Sequence, residues 1–156
     1  MQLTLRSNHA MRLMMFCAVN EPRVAPVAEI ARACNMSEAH LGKIAHALAS
    51  HGFVETVRGR RGGVRLARPA EDLNLGEIVR ATEFGQCLVE CLEPETNTCP
   101  LIGVCRFRGI VREALEAFLG VLDRYSLADL VAEPEPLRAA MGLESPAAAT
   151  AGGIGA

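Results

Sequence analysis

Three thiols stand in the stretch Glu90 to Arg106, ECLEPETNTCPLIGVCR: Cys91, Cys99 and Cys105. Seven residues separate the first pair and five the second, with Pro94, Asn97, Pro100 and Gly103 shaping turns between them. Thiolates serve as soft metal ligands or as redox groups. The spacing is too long for the Cys-x-x-Cys knuckle of most zinc sites and for ferredoxin runs. It suits a loop wrapped around something larger than one ion, such as an iron–sulfur cluster. Spacing alone leaves a zinc ion or plain redox-active thiols open.

The redox setting follows from the rest of the chain. Six cysteines would make three disulfides, but 156 residues that are 50% hydrophobic can build a core without staples. Leu13 to Val19, LMMFCAV, is the nearest thing to an export signal. It is too short to span a bilayer, lacks a small-residue cleavage site, and reads as a buried helical face. A reducing cytoplasm and no membrane association are therefore expected. There, clustered thiols bind metal or sense redox state. Cys17 and Cys34 fall where small core residues belong. Cys87, four residues before Cys91, reads as a packing residue or a spare thiol.

The elements that must position the thiols are legible on both sides. Residues 1–69 hold ten of the 16 Lys and Arg and four of the 18 Asp and Glu, net +6; residues 70–156 are net −8. A basic front half suggests a polyanion partner, against the plainer reading of a chance surface fluctuation. Residues 6–19 read as a helix closed by Asn20-Glu21-Pro22. VAEIARAC, from Val27 to Cys34, reads as a second helix and Asn35-Met36 as a tight turn. Ser37 can cap a third helix to about Ser50, with Leu41, Ile44, Ala45 and Leu48 inward and Gly52 just past its end. Two helices around a tight turn make a helix-turn-helix.

Phe53 to Val57 and Val64 to Ala67 are short β-rich runs around Arg58-Gly59-Arg60-Arg61-Gly62-Gly63, a hairpin tip studded with guanidinium groups. That is a wing. Its arginines suit phosphate, and its glycines allow close backbone approach. A winged helix-turn-helix on double-stranded DNA accounts for the charge and its location. Ser37, His40 and Lys43, with Glu38, are the candidates for base contacts from the third helix; Arg58, Arg60, Arg61, Gly62 and Gly63 are the wing candidates. His46 and His51 read as surface or phosphate-facing residues.

In the back half, Leu75 to Thr82 reads as a short linking helix. From Phe107 to Leu130 a long helix is expected, with Val111, Leu115, Phe118, Leu122 and Tyr125 as one apolar seam and Ile110, Ala114, Ala117 and Val121 as a second row. One row can cover the protein's own body; the other wants a partner, and a symmetric homodimer on a palindromic site is the economical choice. The fold class is thus mainly α, a winged helix-turn-helix with a small β-hairpin wing and a long C-terminal dimerisation helix. The expected division is a DNA-binding domain at 1–69, a linking helix, cysteine loop and dimerisation helix at 70–143, and a disordered tail at 144–156. Paired carboxylates, a nucleophile elbow and a phosphate-cradling loop are all missing from the pattern, so an enzyme is not expected.

The order of winged helix, RGRRGG wing, CLEPETNTCPLIGVC and FRGIVREALEAFLGVLDRYSLADLV resembles the NsrR-type nitric-oxide-sensing repressors, within the winged-helix iron–sulfur regulators that include IscR and RirA. The resemblance spans about residues 1–143. It implies a homodimer holding an iron–sulfur cluster, 4Fe-4S first and 2Fe-2S second, on Cys91, Cys99 and Cys105. It implies repression of transcription until nitric oxide nitrosylates the cluster. In several relatives the fourth ligand is a carboxylate near the start of the first helix, supplied by the other subunit. Asn8 stands here instead, a poor iron ligand beside His9, so Asn8, His9, water and an exogenous thiol are the candidates for that position. The departure keeps open a RirA- or IscR-like regulator that reports iron or cluster status.

Overall fold

The computed structural model describes residues 3–59, 61–83 and 88–143. Arg60, Cys87 and the tail from 144, on which expectations were placed above, lie outside the described residues. Among those described, seven α-helices and one two-stranded antiparallel sheet form the fold, as the mainly α winged reading requires.

Helix α1 (Leu5–Val19) starts at Thr4, whose hydroxyl oxygen accepts the Ser7 N–H at 3.3 Å. It ends at Asn20, whose amide donates to the Phe16 carbonyl at 2.8 Å before Pro22 stops the chain from continuing. Ala10, Leu13, Met14, Phe16 and Cys17 share the helical spacing of one face, and all are buried. Helix α2 (Val27–Ala33) turns into α3 (Glu38–Ser50) through Asn35 at φ 54°, a left-handed position that asparagine tolerates. Ser37 caps α3 by accepting the His40 N–H at 3.3 Å, and Gly52 takes φ 72° just past its end.

Strands β1 (Val54–Val57) and β2 (Gly63–Leu66) pair antiparallel with Val54 opposite Leu66 and Val57 opposite Gly63. Ala25, before α2, bridges Val64 in both directions at 2.9 and 2.8 Å, so the wing is sewn to the helix-turn-helix. Gly63 lies buried under that bridge. A Cβ there would run into the Ala25 carbonyl, which accounts for the glycine by packing.

α1 is the central element, packing on α3, β2, α4 (Leu75–Thr82), α6 (Leu127–Leu130) and α7 (Pro134–Ala140). Leu73, Ile78 and Leu127 from the back half share one apolar core with Leu13, Phe16, Leu41 and Leu48 from the front. The core is aliphatic, with Phe16 and Phe53 as its aromatic members.

The long helix expected from Phe107 to Leu130 is in fact two. α5 runs Arg106–Leu122, and α6 starts anew at Leu127. Ser126 and Asp129 form a reciprocal capping box that starts α6. The Asn74 amide, at the start of α4, donates to the Asp123 and Tyr125 carbonyls at 2.8 and 3.3 Å, and the Leu127 N–H donates to the Leu73 carbonyl at 2.8 Å. The turn drives Leu127 into the core and leaves Tyr125 exposed, so the apolar seam ends at Leu122. On α5, Val111, Leu115, Phe118 and Leu122 are half-buried. Ile110, Ala114, Ala117 and Val121 are exposed, and no residue of the helix is fully buried. Among the described residues no helix is long and apolar enough to cross a membrane.

Candidate functional site

The cysteine loop runs from a short 3-10 turn, Glu90–Leu92, to the start of α5. Cys91 sits in that turn and is 7% exposed, while Cys99 and Cys105 are half-buried; all three thiols are free. The Asn97 side-chain oxygen accepts the Cys99 N–H at 3.1 Å, an Asx turn that fixes the backbone there. The Cys105 N–H bonds the Leu101 carbonyl at 2.9 Å, and Cys105 is the N-cap of α5 with no side-chain cap bond, so its sulfur is not spent locally. The Arg108 Nε donates to the Cys91 carbonyl at 2.9 Å and fastens the turn to the first turn of α5. The start of a helix favours negative charge.

Among the described residues no three His, Cys, Asp or Glu side chains converge where a single ion would sit. The three sulfurs lie at the beginning, middle and end of one loop, with soft donors throughout. That donor set fits a sulfur-ligated iron group better than a hard cation held by carboxylates.

Cys17 and Cys34 are a different case. Burial, followed by the neighbouring Cys34 and Glu21, pushes the Cys17 thiol up to about 12. Burial also raises Cys34, against a smaller opposing effect of Arg12. Cys17 packs by the Val64 carbonyl and Cys34 by the Arg12 carbonyl, so both thiols stay protonated in the core.

His40 and Lys43 project exposed from α3, as do Ser37 and Glu38 at its start. Ser37 is engaged as the helix cap. Arg58 and Arg61 are exposed on the wing; Gly62 is half-buried and Gly63 buried. A Cβ on Gly62 would meet the Val57 carbonyl, so this glycine too serves the tight hairpin tip. Arg65 is paired with Glu55 across the strands at 2.7 Å, which partly offsets its charge. His46 and His51 are exposed, the latter tilted against Phe53.

Asn8 is exposed at the start of α1, whereas His9 is half-buried and turned to α3. Its ring stands edge-on to that of His40, centroids 5.1 Å apart, and its Nδ1 is buried with no hydrogen-bond partner. Burial, then His40 and Arg12, hold its pKa below the ordinary value, so the imidazole is neutral at pH 7. A half-buried histidine on the recognition helix's flank was not legible as such; only its place one turn into a helix was.

Glu83, the C-cap of α4, also carried no signal in the sequence. Its carboxylate reaches Thr4 and Ser7 at the start of α1, 79 and 76 residues away in the chain.

Residues 3–133 match the Rrf2 family, described as iron-dependent transcriptional regulators. The chain belongs to the Rrf2 family. Its relatives include the HTH-type transcriptional regulator NsrR of Geobacillus kaustophilus, 45% identical over 88% of this chain and 95% of that one. Protein aau3 of Rhizobium meliloti is 43% identical over 94% of this chain and 95% of its own length. Among solved structures, T. potens IscR shares the fold with a TM-score of 0.68 over 86% of this chain and 88% of that one, at 21% identity. This Rrf2 protein is accordingly a DNA-binding regulator of transcription and not an enzyme.

Proposed function

We propose that this Rrf2 protein is a homodimeric repressor that binds an iron–sulfur cluster through Cys91, Cys99 and Cys105 and releases a palindromic DNA site when nitric oxide nitrosylates that cluster. One observation carries the reading: three free thiols lie on a single loop that ends as the N-cap of α5, fastened there by Arg108. Curated relatives named NsrR, such as that of Shouchella clausii at 42% identity, support the nitric-oxide branch.

When bound, the cluster supplies iron that reacts with nitric oxide; 4Fe-4S is the preferred type and 2Fe-2S the other. The chain's own part is to present three thiolates at the positive end of α5 and to tie their loop to the helices behind it. The fourth position falls to Asn8, His9, water or an exogenous thiol; His9, turned to His40, is the less available of the two side chains. The exposed row on α5, Ile110 at 61% exposure with Ala114, Ala117 and Val121, meets its equivalent in a second copy. Two copies of α3 and the wing then address half-sites about 34 Å apart, with His40, Lys43 and Ser37 toward bases and Arg58, Arg60 and Arg61 toward phosphates. A hundredfold release needs about 2.7 kcal/mol of differential binding, ordinary for coupled sites.

A second reading is favoured by one specific residue. With Asn8 in place of a carboxylate, the fourth position is weakly held, which suits a regulator of iron or cluster status.

The test is anaerobic purification followed by titration with nitric oxide. The expected result is a brown protein whose visible absorption and affinity for a selected DNA duplex change together. Loss of binding on iron chelation, with no selective effect of nitric oxide, establishes the second reading. A colourless protein with one zinc per subunit and constant DNA affinity defeats both, leaving a zinc- or thiol-based redox protein.

A further inference from the structure

Glu83 stands eight positions before Cys91. Its own N–H closes α4 on the Val79 carbonyl at 2.9 Å, and its carboxylate crosses to another element. Oε1 accepts the Thr4 N–H at 2.8 Å, the Thr4 hydroxyl at 2.9 Å and the Ser7 hydroxyl. Thr4 is at once the N-cap of α1 and a donor to Glu83. The carboxylate therefore extends the cap, at the helix end where negative charge is favoured, through charge-assisted bonds. Ser7 is fully buried, and its hydroxyl lies 2.7 Å from that of Thr82, the residue before Glu83. The end of α4 and the beginning of α1 are thus joined by a part-buried polar cluster whose members bond one another.

What lies beyond that cluster is the DNA-reading face. Two residues after Ser7, His9 meets His40 edge-on, and the same helix packs its apolar face on α3. A shift of the first turn of α1 reaches α3 directly, because close-packed helices do not deform continuously.

We propose that Glu83 is a positioning residue that holds the start of α1, and through it the reading face of α3, in the DNA-binding arrangement, and that its release from Thr4 and Ser7 answers a change passed from the cysteine loop through Arg108 to α5 and through the Asp123–Arg80 pair to α4. This rests on the sensor reading above. It assigns the coupling to one carboxylate and not to the thiols, which only hold the group.

The experiment measures DNA affinity of the full chain, loaded and after nitric oxide, for wild type, Glu83→Ala and Glu83→Gln. The DNA is a duplex selected from a random pool by the loaded wild type. Hydrogen exchange of the amides of Thr4 to Asn8 is followed in chain prepared without the cluster. Glu83→Ala is expected to keep the wild-type visible spectrum per subunit while the loaded-to-treated affinity ratio falls about tenfold, within the usual range of coupling. Exchange in the first turn of α1 should quicken. Glu83→Gln, which retains an acceptor oxygen without the charge, should fall between the two. Ser7→Ala, which removes one donor and spares Glu83, should shift the ratio in the same direction and carries the test if Glu83→Ala does not fold. An unchanged ratio in Glu83→Ala overturns the proposal, as does loss of the visible spectrum, which would make Glu83 a residue for retaining the group. A wild type with equal affinities in both states sinks the sensor reading itself, and this inference with it.

Discussion

Arg80 of α4 and Asp123, just past α5, meet as a two-pronged fork, Nη1 to Oδ1 and Nη2 to Oδ2 each at 2.6 Å. The fork passes over Gly76, where a Cβ would collide with the Asp123 carboxylate. α5 is thereby anchored at both ends. Arg108 and Cys105 join it to the cysteine loop, and Asp123 joins it to α4, whose own end bears Glu83. Between those anchors, among the described residues, the half-buried seam of Val111, Leu115, Phe118 and Leu122 faces the protein's own core.

Gly76→Ala is predicted to destabilise the fold although alanine is the better helix former. The methyl group must displace Asp123, at about 1–3 kcal/mol for an overpacked site, against a gain of about 1 kcal/mol in helix propensity. Gly42→Ala on α3, with nothing within 4 Å of the added carbon, should show only the gain. Urea unfolding of the two variants gives the comparison. A stabilised Gly76→Ala would mean the fork is not held as described.

Acid should weaken the same region first. The Arg80 guanidinium holds the Asp123 carboxyl below its ordinary value of 3.8, and the Ser126 backbone and hydroxyl do the same for Asp129. A carboxylate with a depressed folded pKa contributes stability that is complete above the ordinary value and lost as pH falls through the lowered one. Unfolding followed by circular dichroism should therefore steepen below about pH 4. Asp123→Asn and Asp129→Asn should flatten that limb by lowering stability in the neutral range toward the value that wild type reaches in acid.

The front half was legible because local rules and the global fold agree there. Ser37 and Gly52 sit at helix ends, the buried spacing of Leu41, Ile44, Ala45 and Leu48 is helical, and the wing is bracketed by β-rich runs. The break after Leu122 was not legible. The apolar seam continues in register to Tyr125, and what stops it is Asn74, nearly fifty residues away in the chain, bonding the Asp123 and Tyr125 carbonyls. Gly63 could be read as a residue for approaching phosphate; only the Ala25 carbonyl above it reveals the packing reason. The thiols were found by type and spacing. The contacts of Glu83 with Thr4 and of His9 with His40 join elements distant in the chain and leave no periodic trace.

The wing and the recognition helix should separate cleanly in binding measurements. Arg58→Ala and Arg61→Ala remove exposed cations from the hairpin tip, so each should weaken all sequences alike and lower the slope of log affinity against log salt by about one. His40→Ala and Lys43→Ala should instead cost about 1–3 kcal/mol on the selected duplex and little on an unrelated one. Arg65→Ala should lower the salt slope less than either wing variant, since Glu55 partly offsets its charge. Fluorescence anisotropy at several salt concentrations distinguishes the three patterns.

The loop cysteines and the core cysteine Cys17 should divide by what their replacement damages. Cys99→Ala touches a half-buried side chain on a loop, so thermal unfolding of the chain without its cluster should stay within about 0.5 kcal/mol of wild type, while visible absorption is lost. Cys91→Ala and Cys105→Ala should lose it too, with Cys91→Ala paying somewhat more in stability because its side chain is buried. Cys17→Ser should invert the pattern. A hydroxyl placed where the thiol has one weak partner at 3.9 Å costs about 1–3 kcal/mol, yet absorption per folded subunit should match wild type. If Cys17→Ser bleached the protein while Cys99→Ala left it brown, the assignment of ligands to the loop would be wrong, and the buried pair would have to be reconsidered as the site.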